Sequence, residues 1–102
     1  MLIIPTVVAP SQTLFTVLTS QACRINLYQK PLGLFLDLHV NDALRLGGAL
    51  CLNGTLIVRD AYLGFIGDLI FFDLQGQADP IYSGLGSRWW FYYVEPFDVI
   101  RG

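Results

Sequence analysis

Charge is scarce in this sequence. Charged residues make up 14% of its 102 residues, against roughly 25% in a typical soluble domain. The six cations, Arg24, Lys30, Arg45, Arg59, Arg88 and Arg101, stand singly, and the net charge is −2. Nucleic-acid binding needs a clustered positive footprint, so no nucleic-acid partner is expected. Cysteine is scarce too. Cys23 and Cys51 are too few for a disulfide framework. Cys23 falls at an inward-reading strand position, where a thiol acts as a small hydrophobe.

Histidine occurs once, as His39. One histidine and two separated cysteines give no zinc-ligand spacing, and no Asp-x-Asp-x-Asp loop suggests calcium. Gly84-Leu85-Gly86 is too short for a phosphate loop and precedes a strand, not a helix. No metal or cofactor is therefore expected. Asn53-Gly54-Thr55 matches a glycosylation acceptor in form, but a hairpin turn accounts for it better.

Long apolar runs are also missing. The richest stretch, Leu44 to Leu74, is interrupted by Arg45, Arg59, Asp60, Asp68 and Asp73. No window approaches the roughly 20 apolar residues of a spanning helix, so no membrane span is expected. Met-Leu-Ile-Ile-Pro at the start has no basic n-region of a signal peptide. The expectation is a chain made in the cytoplasm and used there, or assembled there into something larger.

What is abundant is apolar surface. Hydrophobic residues reach 54%. A domain this small leaves about a third of its unfolded-state surface exposed. The excess is expected to meet another protein chain.

The pattern along the chain is two-residue alternation broken by turn residues. Residues 13 to 19 are β-branched and aromatic and read as a strand. After Ser20-Gln21, residues 22 to 29 alternate, with Cys23, Ile25 and Leu27 on one face. Lys30-Pro31-Leu32-Gly33 makes the next turn. Residues 34 to 40 place Leu34, Leu36, Leu38 and Val40 inward, and Phe35, Asp37 and His39 outward. Asn41-Asp42 turns again. Residues 43 to 52 are ambiguous, and Gly47-Gly48 argues against a long helix. Asn53-Gly54 predicts a hairpin joining Ala49–Leu52 to Thr55–Arg59.

Residues 61 to 66 and 68 to 74 read as two further strands around Gly67. Gln75 to Ser87 reads as irregular. Residues 88 to 94 read as a strand with aromatic residues on both parities, so both its faces are expected to be covered. The expected architecture is all-β: a small antiparallel sandwich or partly open barrel of about seven or eight short strands. It forms a single domain over residues 1–102, with residues 1–9 and 95–102 as possible extended arms.

Three function classes compete. His39 and Asp37 share a strand face, but no nucleophile or third partner marks a catalytic group beside them. Carboxylates such as Asp60, Asp68, Asp73 and Asp79 read as markers of turns and strand ends. The expectation is no enzyme and no catalytic residue. A carbohydrate-binding module is the alternative, using the aromatic strand Trp89 to Tyr93. The third class is a protein-binding block, with core on one parity of that strand and interface on the other.

The order of features resembles a known family. Pro10-Ser11-Gln12-Thr13-Leu14 leads into a strand, and a hairpin alternates from Cys23 to Tyr28. Gly33-Leu34-Phe35-Leu36-Asp37-Leu38 follows, then Gly47-Gly48 and Leu56-Ile57-Val58. Asp79-Pro80, Leu85-Gly86-Ser87-Arg88 and the aromatic strand close the segment. Over residues 10 to 94 this is similar to the small baseplate plug family of contractile-tailed phages, known from a cyanophage baseplate. The family often has Trp where this chain has Phe35.

The resemblance implies a structural virion protein of the tail baseplate, assembled in the host bacterial cytoplasm. It implies packing at the baseplate hub, near the end of the tail tube. The implied partners are hub, tail-tube and spike proteins, with copies of the chain itself around a three- or six-fold axis. Interface residues are then expected among Phe35, Asp37, His39, Arg88, Trp90 and Tyr92. It carries over no catalytic residue.

Overall fold

Three successive two-residue turns fold residues 11–50 into a meander. In the computed structural model, which describes residues 1–59 and 64–96, β1 spans Leu2–Ile4, β2 Ser11–Leu18, β3 Gln21–Lys30 and β4 Gly33–Val40. β5 spans Ala43–Leu50, β6 Asp68–Asp73 and β7 Trp89–Val94. A 3-10 turn occupies Tyr82–Gly84. Thr19 and Ser20, and later Asn41 and Asp42, all have positive φ. Two such residues in succession twist a hairpin the way its strands already twist.

The strands form two antiparallel sheets, ordered β2-β3-β4-β5 and β1-β7-β6. Neither sheet closes on itself, so the architecture is an open two-sheet arrangement. One core lies between them. Ile25, Leu27, Leu36 and Leu38 come from the larger sheet, and Leu69, Phe71, Phe91 and Tyr93 from the smaller. Each of these eight is buried. Phe71 stacks on Phe91 across β6 and β7, with ring centroids 4.4 Å apart. The inward parity read for Cys23, Ile25, Leu27, Leu34, Leu36, Leu38 and Val40 is the parity the structure buries. Both thiols are free and buried. Burial pushes Cys51 up to about 12 and raises Cys23 as well, which keeps both as neutral packing groups.

Two parts of the sequence reading need correction. The Asn53-Gly54 hairpin does not form. Residues 43–50 make one strand, and Cys51 continues its pairing by donating its N–H to the Leu34 carbonyl at 2.8 Å. Gly54 has the expected positive φ but turns the chain toward the other sheet, where its N–H donates to Phe71. Residues 55–59 are not a strand; they lie along β6, held mainly by a side chain. The carboxyl oxygens of Asp68 accept from the backbone N–H groups of Ile57, Val58, Arg59 and Leu69 at 2.7–3.1 Å. The strand expected at 61–66 lies partly outside the described residues, and Gly64 to Gly67 are not strand.

The N-terminal residues also take a position that periodicity did not show. Leu2–Ile4 pairs with β7, setting Ile4 opposite Phe91. The other expected arm, 95–102, is described only as far as residue 96.

One end of the molecule is stitched across the sheets by polar side chains. Gln21 accepts from the Ile66 N–H at 2.9 Å and donates to the Leu18 and Ile66 carbonyls. The Tyr93 hydroxyl donates to Ile66 O at 2.5 Å and meets Thr19 Oγ1 at 2.7 Å. Gly67 is required at this joint. Its φ is +94°, and a Cβ there would sit 2.5 Å from the Val94 carbonyl oxygen.

Candidate protein-binding faces

The outward face of the larger sheet is arranged in cross-strand rows. Phe15, Arg24, His39 and Leu44 form one row across β2, β3, β4 and β5. Thr13, Asn26 and Asp37 form the next, and Ser11, Tyr28, Phe35 and Leu50 the third. Tyr28 stacks on Phe35 at 6.0 Å, and the Lys30 ammonium lies over both rings. Phe15 is 78% exposed, Val17 70% and Leu44 60%. These three large apolar side chains face solvent from a single sheet. The sequence held a signal for Phe15 and Val17: they alternate with Leu14 and Leu18 in an otherwise uncharged strand.

The expected interface residues divide into two kinds. Phe35 and His39 do lie on this outward face, partly exposed. Asp37 lies there too but is engaged internally. Its Oδ1 accepts from Gly48 N at 2.7 Å and from the Tyr28 hydroxyl at 2.9 Å. That pair of bonds fixes a β-bulge in β5, where Leu36 opposes Ala49 but Leu38 opposes Leu46. Gly48 takes φ +63° at the bulge. Desolvation, then the bond to Asp37, raises the Tyr28 hydroxyl pKa. Asp37 makes no hydrogen bond to His39 among the described residues, so the two are not a dyad. His39 Nδ1 is buried and has no hydrogen-bond partner among the described residues.

On the smaller sheet, Trp90 and Tyr92 point outward and are half-buried, while Trp89, Phe91 and Tyr93 point into the core. Tyr92 packs edge-on against Phe72 at 5.7 Å. The five consecutive aromatic residues therefore do not form one platform, the arrangement a sugar-binding strand would need. Beside Trp90 lies a cleft of about 250 Å³, walled by Ile3, Ile4, Pro5, Thr6, Gly86 and Phe91. Among those wall side chains only Thr6 carries a hydroxyl.

Arg88 is a clip rather than a free cation. Its Nε and Nη2 donate to the two oxygens of Asp73, each at 2.8 Å, and its guanidinium lies 4.5 Å from the Trp89 ring centre. Asp73 also accepts from Gln75 N and Ala78 N, so the pair shapes the start of the irregular segment. The Arg88 hydrogen bonds, then those backbone donors, hold the Asp73 carboxyl well below its ordinary value of 3.8. A depressed carboxyl contributes stability above the unfolded pKa and loses it as pH falls through the folded one. Asp73→Asn is therefore expected to lower the unfolding midpoint at pH 7 and at pH 5. The gap to the parent should narrow only in acid below the ordinary carboxylate range. Thermal unfolding followed across pH checks this, and a gap independent of pH would refute it.

Other closing-segment residues serve the architecture as well. Asp79 accepts from Asn53 N at 3.0 Å, and Pro80 and Leu85 are buried. A side chain on Gly84 would collide with the Trp89 ring.

Among the described residues, no three His, Cys, Asp or Glu side chains gather as a metal site. No helix among them is long and apolar enough to cross a membrane. The fold and its outward faces define a small β-structured assembly module, with its conspicuous polar residues holding its own backbone. The family described as cyanophage baseplate Pam3 plug gp18 matches the chain over residues 1–96, and the chain belongs to that family. It is a structural component of a phage baseplate, and hence of the virion tail, associating with other baseplate proteins. The family is structural, with no catalytic family indicated. No curated protein matches the chain significantly.

Proposed function

We propose that the chain packs at the hub of the baseplate, near the end of the tail tube, through its outward sheet faces. Hub, tail-tube and spike proteins are the partners in this reading. One observation carries it: Phe15, Val17 and Leu44 stand exposed on the face that also bears Phe35 and His39. Such patches on a small domain mark contact surfaces. Arg24 and Lys30 on the same face form no ion pair among the described residues, which favours partner surfaces carrying carboxylates. Trp90 and Tyr92 offer a second, aromatic patch on the opposite sheet.

Quantitative mass spectrometry of purified phage particles tests the reading. The wild-type chain is expected at a fixed stoichiometry to the other baseplate proteins. Leu44→Glu should reduce its incorporation by roughly tenfold, as loss of one well-packed apolar contact does, while the isolated variant keeps its unfolding midpoint. Absence of the wild-type chain from particles would overturn the virion role. Unchanged incorporation of Leu44→Glu would overturn the assignment of this face.

A further inference from the structure

β2 lies at one edge of the four-stranded sheet. Pro10 O accepts from Gln29 N at 2.7 Å, and Leu18 opposes Gln21 across the Thr19-Ser20 turn. Antiparallel bonding alternates along a strand. Gln12, Leu14, Thr16 and Leu18 therefore direct their backbone polar groups at β3. Ser11, Thr13, Phe15 and Val17 direct theirs away from the sheet, and all four are exposed.

Sheet edges are normally guarded by charge, proline, a bulge, shortness or a covering segment. The other edges of this chain follow that rule. β5 carries Arg45 and the bulge at Gly48. The free side of β6 is covered where Gly54 N and Ile57 N donate to Phe71 O and Leu69 O. β1 is only three residues long. β2 has eight residues, no charge, no proline and an unbroken register. It is a long, unbroken edge with apolar side chains exposed along it.

We infer that this edge pairs with the same edge of a second copy of the chain, joining two four-stranded sheets into one of eight. The strand's own sequence favours itself as the occupant. With a two-fold axis at Thr16, Phe15 falls opposite Val17 of the second copy on the outward face. Leu14 then falls opposite Leu18 of the second copy on the inward face. Apolar residues meet apolar ones on both faces, and no like charges oppose each other. The register also matches hydrogen-bonding residues, since Phe15 and Val17 both present free backbone groups. A two-fold contact needs only one surface to be self-complementary. The contact is a single strand-to-strand edge, for which association on the order of micromolar is expected. The inference stands apart from the baseplate role, and its test needs only the purified chain.

Sedimentation and residue-resolved amide exchange on the full chain decide it. From about 1 µM to about 1 mM the wild type should pass from monomer to dimer by mass action. The Phe15 and Val17 amides should slow by roughly tenfold or more over that range, as newly paired groups do. Phe15→Lys with Val17→Lys should stay monomeric with an unchanged circular-dichroism spectrum. A wild type that remains monomeric would overturn the inference. So would a dimer, trimer or hexamer in which the Phe15 and Val17 amides still exchange freely. The wild-type exchange measurement decides the matter even if the double variant fails to fold.

Discussion

Leu36→Asp is expected to abolish cooperative folding, whereas Asp37→Ala is expected to leave a folded but weakened protein. Leu36 has no exposed surface and sits mid-strand in β4, between Leu27 of β3 and Ala49 of β5. An aspartate there points into the shared core with no described donor to receive it. An unpaired carboxylate in such a site costs several kcal/mol even after it takes up a proton, comparable to the roughly 5–15 kcal/mol stability of a whole domain. Asp37 is one residue further on and faces the other way. Removing it breaks the bonds from Gly48 N and the Tyr28 hydroxyl and loosens the bulge. That loss is expected to cost about 1–2 kcal/mol. Urea unfolding followed by tryptophan fluorescence separates the two. A cooperative transition in Leu36→Asp, at the midpoint of Asp37→Ala, would mean the face assignment is wrong.

The second large effect is expected at Asp68. Its side chain is fully buried, and among the described residues it receives the backbone N–H groups of Ile57, Val58, Arg59 and Leu69. Ile57 and Val58 belong to the core cluster, and the segment bearing them has few ladder bonds of its own. Alanine at 68 leaves buried donors such as the Val58 N–H without this acceptor, at about 1–3 kcal/mol each, while Ile57 N keeps Leu69 O and water gives partial relief. A total of roughly 3–6 kcal/mol is expected. Asp68→Asn should fall between, because its amide nitrogen cannot accept from the N–H groups it faces. Urea unfolding gives the magnitude, and amide exchange at Ile57 and Val58 gives the location. A loss below about 1 kcal/mol in Asp68→Ala, the size of an ordinary surface change, would remove the carboxyl from this role.

Both residues show how far the sequence could be read. Leu36 and Asp37 were legible because strand parity is a local property. Leucines at 34, 36 and 38 alternate with Phe35, Asp37 and His39, and only one face of a sheet can meet a core. The role of Asp68 was not legible in the same way. An acidic residue beside a glycine reads as a turn marker until the chain is folded and backbone N–H groups converge on it. Arg88 is similar. Its position in the closing segment suggested an interface cation, but its fork is matched to Asp73, fifteen residues away.

The sequence alone determined the all-β class, the inward parity of β3 and β4, and the turn at 41–42, and it placed the first turn one residue late, at 20–21 rather than 19–20. Each of these depends on composition or on neighbours within a few residues. Tertiary structure decided the rest. Asn53-Gly54 has the local preference of a hairpin, yet Phe71 and Asp79 offer its backbone better partners. Gly47-Gly48 becomes a bulge rather than a break because Asp37 reaches across from β4. Leu2–Ile4 becomes a strand because β7, some ninety residues later, leaves an edge open beside it. The scarcity of charge, first read as surplus apolar surface, gained a location on the β2 edge and the face around Phe15 and Leu44. Locating it required strand order, because which edge stays unpaired is a property of the whole sheet.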